Sequence, residues 1–136
     1  MNDVNGRKLL VAHLAFIAAM LLHTLDHIRQ GTGRLSVGVL AGGSFLSLIA
    51  VAPLWLTVRR HPKAPLVATI VGFYTAVAVT AAHILPNWGV FSDPYPDLSL
   101  DTYSWAVMLA EIGMGVVFGS VGLLEMRRQQ VSTAAV

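Results

Sequence analysis

Cysteine is absent from this 136-residue chain, which excludes disulfides, thiolate metal sites and a cysteine nucleophile. Charge is nearly as scarce. Asp, Glu, Lys and Arg together make up 12% of the residues, against roughly 25% in an ordinary soluble domain. Several catalytic signatures are missing as well: there is no Ser-centred nucleophile elbow, no phosphate loop and no metalloprotease helix. Gly113-Met114-Gly115 lies inside an apolar run with no strand before it, so it is not a nucleotide loop. Five histidines are too few for long His-rich boxes.

What is abundant is apolar residue, 55% of the chain, with a mean hydropathy of +0.67. It is gathered into four runs at about 9–28, 36–58, 64–85 and 104–126. Each is near the roughly 20 residues needed to cross a bilayer core of about 30 Å as a helix. The fold expected is all-α, a single-domain integral membrane four-helix bundle with up-down-up-down topology. The first run reads as a span and not as a signal peptide, because His13 interrupts it and no small-x-small cleavage site follows. Pro53 should kink the second helix and free the carbonyl of Ile49. Gly38-xxx-Gly42 on the same helix suits close approach between helices.

The pI is near 9.4, yet the basic residues flank the apolar runs instead of forming a patch, so lipid and not nucleic acid is the expected partner. Arg7, Lys8, Arg59, Arg60, Lys63, Arg127 and Arg128 fall on one side of the expected topology; only Arg29 and Arg34 fall on the other. The positive-inside rule then puts both termini in the cytoplasm of a cell-membrane protein. The long connection 86–103 is outside, acidic through Asp93, Asp97 and Asp101, and free of Lys and Arg. Its Trp88, Phe91, Tyr95 and Tyr103 suit an aromatic belt at the interface. Glycine-rich helix faces suit a homo-oligomer or a place in a larger membrane complex.

Against this background His23-Thr24-Leu25-Asp26-His27 stands out. Ionisable side chains at membrane depth are expensive, about 2.5–3.5 kcal/mol for an Asp by insertion scales, and they need partners. The expected topology brings Asp26, His27 and His83 within about a turn of the outer interface, with His23 and Glu111 roughly 9 and 12 Å deep. Helical phase places His13, Met20, His23 and His27 on one stripe. His23, His27, His83 and Glu111 are therefore candidate ligands for zinc, iron, copper or manganese. Asp26 is a candidate acceptor behind an imidazole, His13 a candidate relay group, and Asp93, Asp97 and Asp101 a candidate cation-attracting entrance. His23-x-x-Asp26-His27 resembles, over five residues and with different spacing, the His/Asp signature of nickel and cobalt permeases, which have more helices.

Uptake, delivery or redox use of a metal is the leading functional expectation. Others stay open: a haem held between His27 and His83 for electron transfer, proton-coupled transport through His and carboxylate groups, and an accessory subunit in which the cluster serves packing. Whether the chain is an enzyme is also open, since a metal-assisted hydrolase, or an isomerase with Glu111 as base, needs no further motif.

Overall fold

The computed structural model describes residues 3–134, with side chains from 6 to 131. Four helices make the fold: α1 (Asp3–Gln30), α2 (Val37–Val58), α3 (Ala64–His83) and α4 (Thr102–Ala134). Single 3-10 turns at Thr32–Arg34 and Tyr95–Asp97 sit in two of the connections. All four helices are long and apolar enough to cross a membrane. The first and last run beyond the apolar windows, into polar sequence such as Arg7-Lys8 and Arg127-Arg128. Apolar length sets what lipid can cover, whereas helix length is set by backbone hydrogen bonds that continue into water. Residues 1, 2, 135 and 136 of the polar ends lie outside the described residues.

Helices α2, α3 and α4 start where a side chain or a proline makes starting easy. Ser36 caps α2, its Oγ accepting from the Val39 N–H, while Asp93 Oδ2 accepts from the Ser36 N–H at 2.8 Å. Pro65 lies in the first turn of α3, where no intrahelical donor is lost. Asp101 Oδ1 accepts from the Ser104 N–H at 2.9 Å and caps α4.

Helices α1, α3 and α4 form the core. On α1 the buried stripe is Leu9, Ala12, His13, Phe16, Ala19, Met20, His23 and Asp26, a spacing of three and four that keeps one face inward. The opposite face is also apolar, with Leu14, Leu21, Leu25 and Ile28 exposed, as expected of a helix with lipid outside. Contacts run in opposite order along α1 and α4: His13 stacks on Phe118, His23 meets Glu111, and Arg29 meets Asp101 and Ser104.

Close approach falls between α3 and α4. A Cβ added at Gly72 would lie 2.4 Å from the Gly119 nitrogen, and one at Gly122 would lie 2.7 Å from the Pro65 carbonyl oxygen. The Gly115-xxx-Gly119 pair does what was expected of Gly38-xxx-Gly42. Gly38 instead seats the Val90 carbonyl of the long connection, and Gly42 has no atom within 4 Å of its Cβ position. The reason is that α2 is peripheral: 17% of its apolar window is buried, against 44% for α1 and α3. Pro53 leaves α2 a continuous helix.

Candidate metal centre

Near the end of the bundle that carries the 84–101 connection (the loop end), α1 and α3 bring three imidazoles into contact. His23 and His27 are one turn apart, with ring centroids 4.4 Å apart. His83, in the last turn of α3, lies 5.2 Å from the first and 5.3 Å from the second. One nitrogen from each falls within 4.8 Å of the others, the group of potential ligands found among the described residues. A tetrahedral ion with bonds of about 2.0–2.1 Å needs nitrogens roughly 3.3 Å apart, a contraction that side-chain rotation can supply.

The outward nitrogens of two rings are already held. His23 Nδ1–H donates to Glu111 Oε2 at 2.5 Å, so Glu111 stands behind His23 instead of beside it in the ligand set. His83 Nδ1–H donates to the Asp93 carbonyl at 3.2 Å. Both bonds select the tautomer that leaves Nε2 as the lone pair, the usual arrangement behind a metal-binding imidazole. His27 Nδ1 is buried with no hydrogen-bond partner.

Tyr95 is the residue that sequence reasoning misplaced. It is 1% exposed, not in an interfacial belt. Its hydroxyl lies 2.9 Å from His23 Nε2, its ring packs 4.8 Å from His83, and Trp105 meets it edge-on. Burial, helped by the Asp26 charge, pushes the phenol pKa up, so the hydroxyl keeps its proton and donates to His23. The available signal was Pro94 and Pro96 on either side, which stiffen the chain where the ring is inserted.

Asp26 lies close by but faces the other way. Its carboxylate takes Arg29 Nε at 2.8 Å and the Gln30 amide, and Arg29 continues to Asp101 and Ser104. This network closes the loop end of the α1–α4 seam. The three aspartates of the connection have separate duties. Asp93 ties α2 to α3, since its N–H also donates to the Ala82 carbonyl at 2.8 Å; Asp101 caps α4; Asp97 is exposed on its 3-10 turn.

His13 is placed apart, toward the opposite end. Its Nε2–H donates to the Ala50 carbonyl at 2.8 Å, one residue from the Ile49 carbonyl that Pro53 leaves free, and its ring stacks on Phe118 at 4.5 Å. Phe16 and Met20, both buried, lie between it and His23 on α1. At that end Glu125 is 2% exposed and pairs with Arg128 at 2.6 Å.

Comparison with family models, curated proteins and solved structures finds no match for the chain.

Proposed function

We propose that this chain is an integral membrane protein whose four spans alternate in direction, with both termini cytoplasmic and a transition-metal site in the outer half. The observation that carries the reading is the convergence of His23, His27 and His83, with Glu111 and the Asp93 carbonyl fixing two of the rings from behind. Membrane depth makes three adjoining imidazoles costly, and a bound cation converts that cost into ligation. Nitrogen donors with a phenol alongside suit zinc, copper or iron better than manganese, which prefers oxygen. The ion would act as an electrophilic or redox centre; the chain's part is to hold the His23 and His83 rings by their Nδ1 atoms, with the Tyr95 hydroxyl yielding the His23 Nε2 lone pair to the ion. Uptake, delivery and redox use are the roles open to such a centre.

The geometry favours an ion over haem. A porphyrin would have to pass between two axial imidazoles, whereas the His23 ring packs against both His27 and His83. A proton path through the bundle is disfavoured by the apolar layer of Phe16 and Met20 between His13 and the cluster.

The test is elemental analysis with an absorption spectrum on protein purified in detergent without chelator. About one transition metal per chain, with no Soret band, supports the reading. A Soret band, or no metal after reconstitution with zinc and copper, overturns it.

A further inference from the structure

Between α1, α2 and α3 lies a cavity of about 700 Å3 that reaches the histidine cluster. Its size is that of a small-molecule pocket, about 300–1,000 Å3. One wall is α2 on either side of Gly42 and Gly43, and at these two glycines a Cβ would meet no atom within 4 Å. Tyr74 and Val77 of α3 form the wall across from it, and Trp88 and Phe91 reach in from the long connection. The peripheral position of α2 is what leaves this room.

The lining contains no Lys, Arg or Asp, and its one carboxylate, Glu111, is already bonded to His23. Thr24, Ser44 and Ser47 line it too, but each hydroxyl donates to a carbonyl one turn back on its own helix. The polar side-chain groups left for a ligand are therefore the imidazoles, including the unpartnered His27 Nδ1, and the uncharged hydroxyls of Thr32 and Tyr74. A phosphate or carboxylate head would find no Lys or Arg in the lining, and an ammonium head no carboxylate but the already bonded Glu111; both carry a desolvation cost that the lining does not offset.

We propose that the cavity binds a neutral amphiphile, with its apolar body along the α2–α3 wall and an uncharged oxygen head, carbonyl or hydroxyl, at His27 and His83. This deepens the metal reading: the head would meet the ion where one is bound, and the imidazoles directly where it is not. Quinones and long-chain alcohols share that chemistry.

The experiment is equilibrium binding to the full chain in nanodiscs, metal-loaded and chelator-stripped, of a decyl-tailed benzoquinone, decanol, decanoate and decylamine. Saturable binding of either neutral probe, with the charged probes at least tenfold weaker, is expected; which neutral probe binds identifies the head. Gly42→Leu fills the cavity without touching a histidine and should weaken the neutral probe about tenfold or more, with metal content unchanged. Decanoate or decylamine binding as well as the neutral probes, no saturable binding of either neutral probe, or an affinity unaltered in Gly42→Leu would each overturn the proposal. Metal content is read separately in the same samples, so loss of the metal reading is distinguishable from loss of this one.

Discussion

Single side chains decide most of what happens at the loop end. His83 is held at Nδ1 by a backbone carbonyl, so His83→Ala removes a ligand without stranding a charge. Metal stoichiometry should fall from about one per chain to near zero by elemental analysis, and retention of full occupancy would disprove the ligand assignment. Glu111→Gln should act indirectly, since the carboxylate supports His23 and does not join the ligand group. The expected loss is about 10–100-fold in metal affinity, the usual penalty for removing such a supporting group, measured by competition with a chelating dye. His13→Phe should leave metal content intact and cost about 0.5–1.5 kcal/mol of stability through the lost hydrogen bond to the Ala50 carbonyl. Asp101 supplies the pH dependence. The Ser104 N–H and hydroxyl it accepts, and then Arg29, hold its carboxyl below the ordinary carboxylate value. A depressed folded-state pKa gives stability that is present above the unfolded value near 3.8 and is lost as pH falls through the folded one. In metal-free protein, the drop in Tm on acidification through that range should therefore be smaller in Asp101→Asn than in wild type.

The helices as units turn on glycine. A side chain at Gly72 would collide with backbone of α4, which cannot yield as a flexible side chain would, whereas Gly42 looks into open space. Gly72→Val should therefore destabilise the bundle by about 1–3 kcal/mol or more, while Gly42→Ala should be near neutral; thermal unfolding in detergent compares them. Here the limits of the sequence are plain. Four apolar runs and the inward phase of His13, Met20 and His23 were readable from periodicity, because period and hydropathy are local properties. Which glycines meet was not, since Gly38-xxx-Gly42 and Gly115-xxx-Gly119 are equivalent as patterns and only the packing order of the helices separates them. The same holds for the site. The meeting of His23, His27 and His83 followed from depth and phase, but Tyr95 lies in a connection that has neither, and the side on which Glu111 approaches His23 is a matter of rotamers.

At the scale of the whole molecule, the basic α2–α3 connection and the acidic α3–α4 connection lie at opposite ends of the bundle. Lys63 follows α2, while Asp97 lies on the turn that covers the histidines. Because the chain has no cysteine of its own, single substitutions report sidedness without background. Lys63→Cys should react with an impermeant maleimide only after cells are opened, and Asp97→Cys in intact cells; the reverse pattern would invert the topology. The connection between α3 and α4 also joins parts that are distant in sequence. Asp93 holds Ser36 and His83, and Tyr95 caps His23. Filling of the proposed centre should therefore be coupled to the order of this segment. On the proposed reading, an ion held there would pin the segment through Tyr95 and Asp93 on one side, while the cavity between α1, α2 and α3 would give it a way out on the other. Amide exchange at Asp93 and protease nicking near Asp97 should slow together when the centre is filled.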